Sequence, residues 1–335
     1  MEPDGMAALG AQDEPTGISS PESGARRGTG LLMAVVSAAT LGSSGVFGSA
    51  LLRAGWSPGA VVLARIVVAA FVLAPSAVVQ LRSRWRELWR SAGTVIAYGL
   101  IGVIGCQLPF FYAIQSIQVG IAVLLEFMGA VLVVGWLWVR YRQRPRRLTS
   151  VGAVVAIGGL AMMSGVTGTG GISVVGFMWG MLNAVCLTVY FFLAGGRANP
   201  SGDATEAGEP LSPVVLSWTG MCVGAVILTV LGLAHVMSLA ASTGDVTFLS
   251  HRTSWVVPVI GIGVLATAPG YIAGIAAIRY LGPKLASFVG MSEVVFAAAF
   301  AWAALGQVPT GAQFAGGALI LTGVALVRAD EPRLC

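Results

Sequence analysis

Charged residues are scarce in this chain. Asp, Glu, Lys and Arg make up 10% of its 335 residues, against roughly 25% in an ordinary soluble domain. So little charge cannot cover a globular surface of this size, which excludes a soluble enzyme or a nucleic-acid-binding domain. Histidine is scarcer still: His235 and His251 are the only two and share one polar stretch, so neither an HExxH pair nor a closed zinc site can be assembled. The cysteines show no CxxC spacing. Cys106, Cys186 and Cys222 lie within apolar runs and Cys335 is the last residue, a pattern of small buried hydrophobes rather than of disulfides. No GxxxxGK[ST] loop is present to cradle a nucleotide. Asp4, Asp13, Asp203, Asp245 and Asp330 all fall outside the apolar runs, so the paired aspartates with which intramembrane transferases hold Mg²⁺ are missing. The chain reads as a non-enzyme without metal or cofactor.

What the sequence has instead is apolar length. Hydrophobic residues make up 56%, and the mean hydropathy is +0.85. Spans of about 20 apolar residues cross a bilayer, and runs of that kind fall at about 30–50, 58–80, 93–115, 119–139, 149–166, 173–194, 212–234, 255–277, 284–304 and 311–327. This predicts an all-α polytopic protein of ten helices. The fifth and tenth runs are short enough to be tilted or partly interfacial. Basic residues fix the orientation. With the N-terminus in the cytoplasm, all but three of the 19 Lys and Arg residues fall on the cytoplasmic side. Arg53 and Arg252 lie outside, and Arg65 lies within the second span. Both termini are then cytoplasmic, and the basic surplus follows from topology without a polyanionic partner. Residues 1–28 are polar, rich in Gly, Pro and Ser, and read as a disordered tail rather than a signal peptide.

The sequence also repeats. Shifted by 164 residues, Val95 meets Val259, Gly99 meets Gly263, Ala113 meets Ala277, Trp138 meets Trp302, Gln143 meets Gln307, Pro145 meets Pro309, Gly152 meets Gly316 and Gly159 meets Gly323. Ser57-Pro58 and Ser212-Pro213 extend the relation with a different loop length. Residues 29–166 and 167–328 are therefore expected as two five-helix units, followed by a C-terminal tail at 329–335. Five is odd, so the second unit enters from the opposite face. Such an inverted repeat builds two bundles around a midplane site.

Two acids lie within spans, Glu126 in the fourth and Glu293 in the ninth. A charge at the bilayer centre costs about 2.5–3.5 kcal/mol on insertion scales, so such groups usually face a bundle interior or a wet cavity. At 1.5 Å per residue, Glu126 and Arg65 each lie about 10 Å below the outer edge, and Glu293 about 14 Å from the cytoplasmic edge. One reading is a buried Arg65–Glu126 pair that fixes packing, with Glu293 hydrogen-bonded to a Ser or Tyr. The other is substrate binding or proton coupling, with Glu293, lacking a basic neighbour in its span, as proton carrier. Asn183, Gln107 and Tyr271 are the preferred cavity-lining polar groups. Pro109 and Pro269 interrupt the backbone ladder in related spans, a feature of transporter sites as well as of plain kinks. The loops at about 195–211 and 235–254 read as flexible linkers.

The run Ile121-Ala-Val-Leu-Leu-Glu126-Phe-Met-Gly129, together with Leu281-Gly282-Pro283-Lys284, Ser292-Glu293-Val294 and the closing Phe314-Ala-Gly316-Gly317, resembles the EamA-type drug/metabolite transporters. Within them it is similar to the threonine/homoserine exporter branch. Val294, Gln307 and Ala130 depart from the family's usual Glu-Pro, Gly-Glu and proline positions. The resemblance implies a central cavity lined mainly by spans one, three, four, six, eight and nine, with five and ten peripheral. It also implies efflux of a small metabolite.

The resulting expectation is a multi-pass transporter of a bacterial inner membrane. It exports an amino acid or similar metabolite by alternating access in exchange for protons. Its partners are lipid, a small-molecule substrate and protons, with no nucleic acid and a homodimer left open. Two alternatives stand beside it: efflux of lipophilic cations, and a non-transporting membrane sensor or assembly subunit.

Overall fold

A computed structural model describes residues 21–82, 85–129, 131, 147–163, 173–194, 211–249 and 251–330. Trp136, Trp138, Gln143, Pro145, Ala130, the loop at 195–210 and both extreme tails lie outside the described residues. The described chain is mostly helical. In order, the elements are α1 (Pro21–Arg53), α2 (Pro58–Leu81), the short α3 (Trp85–Arg90), α4 (Ala92–Ala113), α5 (Val119–Phe127), α6 (Arg147–Met163), α7 (Val174–Ala194), α8 (Pro213–Leu233), β1 (Asp245–Phe248), β2 (His251–Ser254), α9 (Val256–Gly282), α10 (Ser292–Leu305) and α11 (Gly311–Asp330). Five of them, α1, α2, α4, α8 and α9, are long and apolar enough to cross a membrane. The outward faces are apolar, with Val151, Val154 and Ile157 of α6 and Phe314 of α11 all exposed, as lipid contact requires.

Local chemistry sets the helix boundaries. Ser57 caps α2 by accepting from Ala60 N at 3.2 Å, and Ser212 caps α8 by accepting from Val215 N at 3.3 Å. In both, proline follows at the first helical position, where its missing N–H has no intrahelical partner to lose. The two Ser-Pro pairs are thus one device used twice. Helix α1 begins at Pro21, inside the stretch expected to be a tail, and proline is a residue that a first helical position accommodates. Gly282, with φ +77° and ψ 159°, ends α9 in a conformation that L residues avoid. Residues 283–290 resume as a helix that leads into α10.

The repeat is visible in the backbone. Helix α4 passes through a π-helical stretch at Tyr98–Gly105, and α9 through one at Gly261–Thr267. These positions correspond under the 164-residue shift. Each π stretch precedes its proline, Pro109 or Pro269, and the chain stays helical through both. Helices α6 and α11 pack against each other, and a Cβ on Gly152 would lie 2.6 Å from the Gly323 carbonyl oxygen. A Cβ on Gly159 would lie 2.5 Å from that of Gly316. Because Gly152 corresponds to Gly316 and Gly159 to Gly323, the two contacts are mates across a pseudo-two-fold axis.

The segment after α8, expected to be a flexible linker, is folded. β1 and β2 pair antiparallel, Asp245 opposite Ser254 and Phe248 opposite His251. The hairpin docks on the α1–α2 turn. Trp56 Nε1 donates to Ser242 O at 2.7 Å, Ser57 N to Ala240 O at 2.9 Å and Ser57 Oγ to Ser238 O at 2.8 Å. Phe248 stacks on Phe47 with centroids 5.1 Å apart, Trp255 lies 5.7 Å from Trp56, and Val246 is buried. Its Gly and Ser content reads as a linker, yet alternate apolar side chains give the strand pair one face to bury.

Candidate functional site

A partly open cavity of about 70 Å³ lies among the helices, room for a few water molecules or a small polar group. Seven helices contribute walls: Leu41 and Ser44 of α1, Arg65 of α2, Gly102, Cys106, Gln107 and Phe110 of α4, Glu126 of α5, Leu187 and Tyr190 of α7, Tyr271 of α9 and Glu293 of α10.

Arg65 is buried, and its Nε donates to Thr267 Oγ1 at 2.9 Å. Thr267 in turn donates to Ile262 O at 2.6 Å, five residues back across the π stretch of α9. The guanidinium lies over the Phe111 ring, 5.3 Å from its centroid, a cation–π contact that strengthens away from water. No direct ion pair joins Arg65 to Glu126. The arginine is held by a hydroxyl and a ring, with both carboxylates in electrostatic reach. Glu293 has no basic residue in its own span, but it shares the cavity with Arg65 of another helix.

Glu126 is 9% exposed, and its position depends on the far end of the second repeat. Helix α5 has no side-chain cap of its own; Val119 N donates to Gln307 Oε1 at 3.2 Å instead. Gln307 is in place because Gly306, in the left-handed region, ends α10 with Gln307 N bonded to Ala301 O at 3.2 Å. The Gly306-Gln307 pair thus closes one helix and opens another. Glu293 is half-buried in the first turn of α10, where free N–H groups favour a negative side chain.

Gln107 Nε2 donates to Tyr271 Oη at 2.5 Å, and Tyr271 Oη donates to Gly102 O at 3.1 Å. Asn183 does not line the cavity. It is fully buried beside Glu126, its amide set against that carboxylate. Pro109 and Pro269 lie in the cavity-bearing helices but not in the wall. Cys106, read as a plain hydrophobe, is part of the wall, a placement that its apolar neighbours concealed. Thr267 was one polar residue among many in the sequence, and only the three-dimensional contact makes it the partner of Arg65.

The EamA-like transporter family profile matches twice, over residues 28–165 and 174–329. The chain belongs to this family. It is accordingly a multi-pass membrane protein and a transporter of the drug/metabolite type. A search among curated proteins finds no match. Among solved structures, a crystal structure of a protein aligns with TM-score 0.53 and 17% identity, over 92% of this chain and 99% of the other. That likeness concerns the fold alone. Within this EamA-like chain, Gln107 falls in the first matched stretch and Tyr271 in the second, so their hydrogen bond joins the two.

Proposed function

We propose that this EamA-like transporter exports a small zwitterion, an amino acid or a close relative, across a bacterial inner membrane by alternating access coupled to protons. The observation that carries this reading is a single cavity wall holding one guanidinium, Arg65, and two carboxylates, Glu126 and Glu293. An α-amino acid offers a carboxylate to Arg65 and an ammonium to the glutamates, while one glutamate exchanges protons. A buried arginine in the wall opposes a lipophilic cation, which disfavours multidrug efflux. Ten crossings with both termini cytoplasmic fit the five long helices, the four shorter apolar ones and α5. Rocking one repeat against the other opens the cavity to each side in turn.

The test is untargeted quantification of small molecules inside and outside cells overproducing the chain, beside a Glu126→Gln/Glu293→Gln control at equal membrane abundance. External accumulation of an amino acid with the unmodified protein alone is expected. Coincident profiles across growth conditions would overturn the export reading.

A further inference from the structure

Helix α2 has 24 residues, a length of about 36 Å at 1.5 Å per residue, against about 30 Å of hydrocarbon in a bilayer. Its first residues adjoin Ser57, which bonds to the hairpin, so its Leu81 end emerges in the headgroup layer of the opposite face. The chain then re-enters the membrane at once. Ser91 N donates to Leu88 O at 3.1 Å, and α4 begins at Ala92. The short helix α3 is thereby confined to the membrane surface between two spans.

Its side chains are sorted around the helix. Leu88 turns inward and packs against the core. Trp85 and Trp89, one turn apart, are 55% and 67% exposed and meet edge-on with centroids 6.3 Å apart. Arg86 and Arg90, also one turn apart, are exposed on the adjoining stripe, farther from Leu88. Two indoles so exposed do not suit a face turned to water, where their apolar surface stays unburied. At a membrane surface the same order works: indoles settle where hydrocarbon meets headgroup, and the cations beside them reach phosphate. Charge then selects among lipids. Residues 82–90 hold four arginines, Arg82, Arg84, Arg86 and Arg90, against Glu87 alone, and Arg82 at the end of α2 is exposed as well. A choline headgroup brings a cation of its own to such a surface. A glycerol headgroup leaves the phosphate charge unopposed, and guanidinium meets that phosphate with parallel N–H donors.

We propose that the exposed face of α3 is a binding surface for anionic phospholipids. Trp85 and Trp89 sit at the acyl boundary, and Arg86 and Arg90 bond the phosphates of lipids that carry no headgroup cation.

The test uses the full-length chain in phosphatidylcholine vesicles that contain a minor fraction of phosphatidylglycerol. Dibrominated acyl chains are carried by one lipid or the other, at equal mole fraction of bromine. Bromine quenches indole fluorescence on contact, and the difference between each chain and its Trp85→Phe/Trp89→Phe counterpart isolates the α3 pair. Brominated phosphatidylglycerol is expected to quench that pair at least about twofold more than brominated phosphatidylcholine. Arg86→Gln/Arg90→Gln should bring the ratio to one, Arg86→Lys/Arg90→Lys should keep it, and raised salt should weaken it. Equal quenching by the two lipids, or a ratio untouched by Arg86→Gln/Arg90→Gln, would overturn the proposal. So would the absence of quenching by either, which would place the pair against water or a second copy of the chain. Both lipids occupy both leaflets and no flux is read, so the outcome is independent of orientation and of the export reading.

Discussion

Gln107 and Tyr271 are 164 residues apart and hydrogen-bonded to each other, so the two copies of one repeat position meet face to face. A residue can contact its own repeat mate only near the pseudo-two-fold axis, which places the axis beside the cavity. Tyr271→Phe removes the acceptor for Gln107 and the donor to Gly102 O. A loss of about 1–2 kcal/mol is expected, read as a lowered midpoint of thermal aggregation in detergent. In a double-mutant cycle with Gln107→Leu, the two changes should be non-additive by at least about 0.5 kcal/mol.

Arg65 depends on Thr267. Thr267→Val keeps the shape of the side chain but leaves the buried Nε unpaired, costing about 1–3 kcal/mol. Thr267→Ser keeps the hydroxyl and should remain near the parent stability. Arg65→Lys loses the planar contact with Phe111 as well, so its substrate affinity should fall although charge is retained. Uptake of labelled amino acid into proteoliposomes at several concentrations separates the affinity loss from a rate loss.

The carboxylates are expected to divide the work. Under a proton gradient, Glu293→Gln and Glu126→Gln should each cut gradient-driven flux by at least about tenfold, the equivalent of roughly 1.4 kcal/mol. Counterflow without a gradient should survive in the variant whose carboxylate only carries protons. Loss of counterflow in both would assign both glutamates to substrate binding.

Gln307 is expected to matter for α5. Gln307→Ala removes the acceptor for Val119 N and should cost about 1 kcal/mol, as loss of a cap does. Gln307→Glu keeps an acceptor at the site and should be tolerated. Thermal midpoints of the two variants provide the check.

The hairpin offers a test of topology and packing together. Arg252 is the only Lys or Arg between α8 and α9, and it is exposed in β2. Trypsin added to spheroplasts should cut there slowly in the parent and faster in Trp56→Ala, which loses the bond to Ser242 O and the contact with Trp255. Cleavage only in inside-out vesicles would reverse the proposed orientation.

Much of this protein is decided by local chemistry and is therefore legible in the sequence. Low charge and long apolar runs dictate helices in lipid, because only a hydrogen-bonded backbone tolerates hydrocarbon. Ser57-Pro58 and Ser212-Pro213 specify helix starts, Gly306 specifies an end, and the 164-residue repeat carries the two-unit plan. The rarity of charge within spans singles out Arg65, Glu126 and Glu293 before any coordinates.

What the sequence could not decide depends on which helices become neighbours. Thr267 as the partner of Arg65, Gln307 as the cap of α5 and Glu293 within reach of Arg65 all join residues far apart along the chain. Periodicity shows which face of a helix is buried, not what it is buried against. The hairpin after α8 makes the same point: its composition reads as a linker, and it folds because Phe47, Trp56 and Ser57 present a surface that Phe248, Trp255 and the Ser238–Ser242 backbone can cover. Sequence determined the helices, the repeat and the rare charges. Tertiary packing alone decided that those charges share one cavity, since the energy of a buried polar group is set by its spatial neighbours and not by its place in the chain.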